Sequence, residues 1–242
     1  MTALNLLTLE GVQTHIGAYH ILHGVDLAVP KGQLTMLLGR NGAGKTTTLR
    51  TIMGLWHASQ GRVRFGDKDI TAMQTPQIAA LGIAYVPENM GIFSDLTVKE
   101  NMLLAARGAK NAGQIDDTRL KWIFKLFPAV EKFWNHPAGK LSGGQKQMLA
   151  VSRAIVEPRE LLLIDEPSKG LAPVMINNMI DAFAELKRSG VTILLVEQNI
   201  NFAQRLGDNV AVMDNGRVVY SGSMAAFSAD AQLQQSLLGL AL

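Results

Sequence analysis

Short apolar runs and stretches of helical period take turns along this chain, divided by glycine, proline and polar breaks. Near the N-terminus, Leu4–Leu9, Ile21–Val29 and Gln33–Leu38 read as strands, the last as a buried one. Thr47–Gly54 reads as a helix stopped by glycine. Gly61–Phe65 and Lys68–Ile70 are strand-like, and a short helix begins at Pro76, a favoured first-turn residue. Gly82–Val86 is a further buried strand, closed by Pro87.

The middle of the chain changes character. Thr97-Val-Lys-Glu100 is a capping box that opens an apolar helix through Ala106. Lys110–Asp117 is polar and reads as a loop, and Thr118–Phe127 has helical spacing. Ser142 caps a helix from Gln145 to Val156, so residues from about 90 to 155 form a helical insert. Beyond it lie a strand at Leu161–Ile164, an amphipathic helix at Pro173–Arg188 stopped by Gly190, a strand at Val191–Val196 and a helix at Asn199–Leu206. Val210–Asp214 and Arg217–Tyr220 flank Asn215-Gly216, a hairpin signal, and the tail from Ser223 is helical. Strands alternating with helices imply an α/β domain with a mainly parallel sheet, here one domain over 1–242.

Bulk properties narrow this little. The 242 residues are 48% hydrophobic, enough for a sizeable core, and the formal charge of +3 comes from scattered basic residues rather than a block. That argues against a nucleic-acid partner. No apolar run approaches the roughly twenty residues needed to cross a bilayer. No basic segment with an apolar core opens the chain, so no signal peptide is expected. The absence of cysteine excludes a disulfide framework and fits the cytoplasm. His15, His20, His23, His57 and His136 make no zinc pattern. The methionines are expected to fill the core, and Trp56, Trp122 and Trp134 either to fill it or to mark a partner groove, core packing being the first expectation for each.

The chemistry sits in three short runs. Residues 39–46 read Gly-Arg-Asn-Gly-Ala-Gly-Lys-Thr, between a strand and a helix, as a phosphate loop requires. Glycines let the backbone approach phosphate oxygens, N–H groups form an anion nest, and the helix start adds a positive end. A chance match is expected in roughly one percent of chains this long, and the strand–loop–helix context lowers that. Gly39, Arg40, Asn41, Gly42, Ala43, Gly44, Lys45, Thr46 and Thr47 are thus the nucleotide-binding candidates. Lys45 is placed to reach the β- and γ-phosphates, and the Thr46 hydroxyl to ligate Mg²⁺. Leu161-Leu-Leu-Ile-Asp-Glu166 puts two carboxylates at a strand end, where open α/β sheets bind ligands. Asp165 is expected in the Mg²⁺ shell. Glu166, on the opposite side of the strand direction, is expected to orient or deprotonate water.

These runs, with Leu141-Ser-Gly-Gly-Gln145, resemble the ATP-binding-cassette ATPases over the whole length. The resemblance implies a phosphate-loop NTPase (RecA-like) core with an antiparallel β subdomain and a helical subdomain. It implies ATP and Mg²⁺ as cofactors and a head-to-tail dimer, homo or hetero. In that dimer Ser142, Gly144 and Gln145 of one subunit meet the ATP held by the other. It also implies membrane permease subunits as partners, indirectly a periplasmic solute-binding protein, and a peripheral place on the cytoplasmic face of the cell membrane. The insert would receive a short helix of the permease.

Four places depart from the generic pattern. Glu88, in Val86-Pro-Glu88, stands where the family carries a glutamine that senses Mg²⁺, and remains an oxygen ligand. Gln198 stands where a histidine usually contacts the γ-phosphate; it can donate but not titrate. The adenine-stacking aromatic aligns on Ile16, with Tyr19 or His15 nearby as substitutes. The segment Pro167–Pro173 lacks the usual aspartate. Val-Pro-Glu, Glu-Pro-Ser-x-Gly-Leu-Ala-Pro and Val-Glu-Gln-Asn resemble the ATPase subunits of high-affinity branched-chain amino-acid importers. The rivals are an ATPase of a lipid or polysaccharide exporter and a soluble cassette protein outside transport.

Overall fold

The structure, a computed structural model, describes residues 4–106 and 114–239. The chain opens with a long antiparallel hairpin, β1 (Asn5–Ile16) and β2 (Tyr19–Pro30), followed by β3 (Leu34–Gly39) and helix α1 (Lys45–Ile52). Then come β4 (Ala58–Phe65), β5 (Lys68–Asp69), α2 (Thr75–Ala80) and β6 (Ile83–Val86). The insert holds α3 (Val98–Ala105), α4 (Asp117–Leu126), α5 (Pro128–Lys132) and α6 (Gly143–Ala154). The rest is β7 (Leu161–Asp165), α7 (Pro173–Arg188), β8 (Thr192–Glu197), α8 (Ile200–Leu206), β9 (Asn209–Asp214), β10 (Arg217–Ser223), α9 (Met224–Ala229) and α10 (Ala231–Leu238).

Two sheets form. The six-stranded one runs β10-β9-β3-β8-β7-β6; its four pairings beyond β10 are parallel, and only β10 runs against its neighbour. The other is antiparallel, β2-β1-β4-β5. β3, β7 and β8 are buried at every residue, because the central sheet is covered on both faces. Alternation splits their side chains between two cores. Met36, Leu38, Leu162, Ile164 and Leu195 pack with the insert and α7–α9, whereas Leu37, Leu163, Leu194 and Val196 pack with the antiparallel sheet and α1.

Most expected elements stand within a residue or two of their expected places. The hairpin is the main extension: β1 continues past Leu9 to Ile16. A register shift between Leu9 and Val12, with Gly11 at φ 57°, breaks the two-residue period there, so the polar-looking 10–16 stretch hides a strand. Its Thr14 is buried and bonds the Thr51 hydroxyl at 3.1 Å. Helix α5 was not expected; five residues are too few to show a helical period. Of the polar 110–117 stretch, 110–113 lies outside the described residues, 114–116 is irregular, and Asp117 already begins α4. Trp122 and Trp134 are half-buried: the Arg119 guanidinium sits 4.3 Å from the Trp122 ring, and Trp134 meets Phe124 edge to face.

Candidate nucleotide-binding site

β3 ends where it must turn against the neighbouring strand. A Cβ on Gly39 would strike the carbonyl oxygen of Met213, so no larger residue fits there. Gly44, at φ 104°, is the N-cap of α1 and supplies no side-chain cap. The first-turn N–H groups of α1 are therefore left without a side-chain acceptor, at the positive end of the helix. Together they open into a cavity of about 340 Å³. Asn41, Gly42 and residues 44–47 form one side, and Ile21, Glu88, Glu166 and Lys169 the other.

Lys45 is almost wholly buried. Its ammonium donates to the carbonyls of Gly39 (2.8 Å) and Arg40 (3.0 Å) and lies 3.7 Å from Glu166 Oε1. Burial pulls its pKa below the usual lysine value, with Glu166 and Asp165 acting against that. The loop thus holds a cation in place with its own carbonyls, beside an uncapped helix start.

Asp165, the last residue of β7, is completely buried. One oxygen accepts from the Thr46 hydroxyl at 3.0 Å, the other from the Tyr85 hydroxyl at 3.3 Å. Burial raises the Asp165 pKa, and the negative charges of Glu166 and Glu88 add to this. Tyr85 is pushed up to about 12, chiefly by burial and secondly by Asp165. A buried carboxylate beside a hydroxyl in a region of like charge is suited to a hard cation. Thr46 and Asp165 would hold Mg²⁺. Glu88 holds Lys169 through Oε1, 2.5 Å away, which leaves its other oxygen to join them. Among the described residues no group of three or more His, Cys, Asp or Glu side chains is arranged to hold a metal. A magnesium site sharing few protein oxygens with phosphate does not need one.

Glu166 differs from the strand-alternation expectation. β7 stops at Asp165, and Glu166 adopts φ 48°, a left-handed conformation rare for such a residue. The turn brings its carboxylate back to the phosphate loop, so Glu166 lines the same cavity as Thr46, the residue that Asp165 holds from behind, instead of pointing to the opposite side of the strand. Such backbone strain costs about 1–3 kcal/mol and persists only where the surroundings enforce it. Here the Glu166 N–H donates to Val196 O at 2.9 Å, and the Gln198 amide donates to Glu166 Oε1 at 2.5 Å.

Behind this turn stands Glu197, a buried carboxylate that sequence reasoning overlooked. It accepts the backbone N–H groups of Ser168, Gln198 and Asn199 at 2.9–3.1 Å. Burial raises its pKa. Its signal was available: a charge at the end of the apolar run Ile193–Val196, like Asp165 after Leu161–Ile164. Lys169 was also overlooked, inside a segment noted only for its missing aspartate.

The Leu141–Gln145 run lies elsewhere. Ser142 and Gln145 close a capping box on each other: Ser142 N–H donates to Gln145 Oε1 at 2.9 Å, and Gln145 N–H to Ser142 Oγ at 3.4 Å. Ser142 and Gly143 are exposed, while Gly144 is buried against α7, where a Cβ would come within 2.6 Å of Met175 Cε. Among the described residues, none of this run lines the phosphate cavity. Tyr19 is 76% exposed at the start of β2, and it is Ile21, two residues on, that reaches the cavity wall.

Comparison with known proteins fits this geometry. Residues 22–169 match the ABC transporter family. The chain is 38% identical to the high-affinity branched-chain amino acid transport ATP-binding protein BraG of Pseudomonas aeruginosa, over 97% of this chain and all of BraG. It is 37% identical to the probable branched-chain amino acid transport ATP-binding protein LivF of Archaeoglobus fulgidus, over 84% of this chain and 86% of LivF. Among solved structures, a nucleotide-free ATP-binding cassette from an ABC transporter superposes with a TM-score of 0.82 at 26% identity, over 98% of this chain and all of the other. The ADP conformation of an ATP-binding cassette of an ABC transporter gives 0.81 at 27%, over 98% and 99%. No helix among the described residues is long and apolar enough to cross a membrane. With its phosphate loop, buried aspartate and strained glutamate gathered at one sheet end, the chain belongs to the ABC transporter family as an ATP-binding, ATP-hydrolysing subunit.

Proposed function

We propose that this chain drives uptake of branched-chain or related amino acids, by binding and hydrolysing ATP beneath separate membrane permease subunits. The substrate class rests on the transport proteins it resembles. The chemistry rests on one observation: Lys45, Thr46 and Glu166 line a single cavity, with Asp165 bonded to Thr46 just behind it, while Ser142 stays outside.

ATP would enter with its phosphates over the uncapped start of α1, held by the backbone of residues 39–47 and by the Lys45 ammonium. When bound, Mg²⁺ on Thr46, Asp165 and Glu88 would neutralise phosphate charge. Glu166 is the candidate general base: it orients a water at the terminal phosphorus and takes its proton. Gln198 fixes the Glu166 carboxylate through its 2.5 Å bond. Ser142, Gly144 and Gln145 would contact the terminal phosphate of the opposite subunit in a head-to-tail dimer. The exposed, self-capped start of α6 suits that role.

A groove of about 750 Å³ supports a permease contact. Met53, Leu55, Trp56 and Met90 give it apolar walls, and Arg50 and Arg153 add charge, which suits an amphipathic segment. The chain would then sit peripherally on the cytoplasmic face of the membrane, with a solute-binding protein across it. A direct test is size-exclusion chromatography of Glu166→Gln with ATP and Mg²⁺. It should elute as a dimer, and a further Ser142→Ala change should return it to monomer. A Glu166→Gln protein that stays monomeric with saturating ATP defeats the shared-site reading.

A further inference from the structure

The turn after β7 presents one more charged group to the cavity. It is pinned at three points: Glu166 N–H to Val196 O (2.9 Å), Ser168 N–H to Glu197 Oε1 (2.9 Å) and Lys169 N–H to Glu166 O (3.2 Å). From this fixed backbone the Lys169 ammonium reaches Glu88 Oε1 at 2.5 Å and Glu166 Oε2 at 3.6 Å. Lys45 approaches the other Glu166 oxygen at 3.7 Å, so an ammonium stands on each side of the carboxylate. Glu88 belongs to the segment whose neighbours Pro87, Asn89 and Met90 line the arginine-bearing groove.

We propose that Lys169 is a positioning residue for hydrolysis: by bridging Glu88 and Glu166 it ties the groove-lining segment after β6 to the hydrolytic carboxylate. The inference rests on the reading of Glu166 as the general base. The Lys169 and Glu88 side chains are 58% and 42% exposed, and an ion pair so open to water adds little to folding stability. Glu166, at 9%, is largely dry, so where its carboxylate sits does depend on the ammonium beside it. The bridge therefore acts on the geometry of the reaction, not on the fold. A segment moved at the groove would pull on Glu88, and through Lys169 on Glu166.

The test is steady-state ATP hydrolysis by the full-length chain with Mg²⁺, for Lys169→Ala, Lys169→Gln, Lys169→Arg, Glu88→Gln and the Glu88→Gln/Lys169→Ala double variant. Glu166→Gln serves as reference, and thermal unfolding is followed alongside. Lys169→Ala and Lys169→Gln should lower kcat about 5- to 20-fold, a fraction of what loss of the base itself removes. KM for ATP should stay within about twofold and the unfolding midpoint should not move. Lys169→Arg should recover most of the rate. The double variant should be no worse than its weaker parent, since the bridge breaks only once. Unchanged kcat in the neutral Lys169 variants, with Glu166→Gln inactive, overturns the bridge and leaves the base standing. A raised KM at unchanged kcat, or losses that multiply in the double variant, also overturns it. An active Glu166→Gln removes the base assignment itself.

Discussion

The phosphate loop and the Ser142 segment of this chain are built in opposite ways. The cradle is finished within one chain: Lys45 and Asp165 are buried, and Thr46, Tyr85 and Gln198 orient the acids. In the Ser142 segment Ser142 and Gly143 are exposed, and the Ser142 and Gln145 side chains cap each other's backbone. A buried, strained cluster needs the surrounding fold to hold it before any ligand arrives. A helix start that caps itself needs nothing from its own chain and has an open face for another. On the proposed reading one region is a receptor and the other a donor, and a head-to-tail pair of chains would join one to the other twice.

That contrast is most sharply tested at Glu166. Glu166→Gln keeps the shape and loses the base, so hydrolysis should fall about 10²- to 10⁴-fold with ATP affinity nearly unchanged, by phosphate release and nucleotide binding. Lys45→Ala should act earlier: loss of a charged hydrogen-bond donor, worth about 1.5–3 kcal/mol, should weaken ATP binding about 10- to 100-fold in a fluorescent-nucleotide titration. Ser142→Ala should separate donor from receptor. Its cap loss costs about 1 kcal/mol in thermal unfolding, and monomer affinity for ATP should hold, yet hydrolysis should drop about tenfold. Hydrolysis unchanged beyond that stability loss would reduce Ser142 to an ordinary cap. The smallest effect belongs to the cavity wall. With Tyr19 76% exposed, Tyr19→Ala should weaken ATP by no more than about threefold, the scale of one aromatic contact. A greater loss would restore Tyr19 as the adenine platform over Ile21.

Read along the chain, the receptor half was largely legible and the donor half only by resemblance. The spacing of Gly39, Gly42, Gly44 and Lys45 carries its own physics, because a phosphate loop needs glycine where a Cβ would collide. The Asp-Glu pair announced itself as charge ending an apolar run. Glu197 sent the same signal and was passed over, since a single acid after a strand is also an ordinary loop start. Lys169 sent none: a lysine in a polar turn is the commonest of surface features, and its neighbours Glu88 and Glu166 lie 81 and 3 residues away. The second half of the hairpin strand β1 was lost to its bulge at Gly11, which breaks the alternation that marks a strand.

The sequence by itself determined the α/β order, the buried central strands, the phosphate loop and the two acids, because each is written in local period or spacing. Only the tertiary structure decided that Glu166 turns back at φ 48° to share one cavity with Lys45 and Thr46, that Glu88 meets Lys169, and that Ile21 rather than Tyr19 lines the wall. Those facts depend on which strand ends lie side by side. Strand adjacency is set by packing of the whole sheet, and no short stretch of residues encodes it.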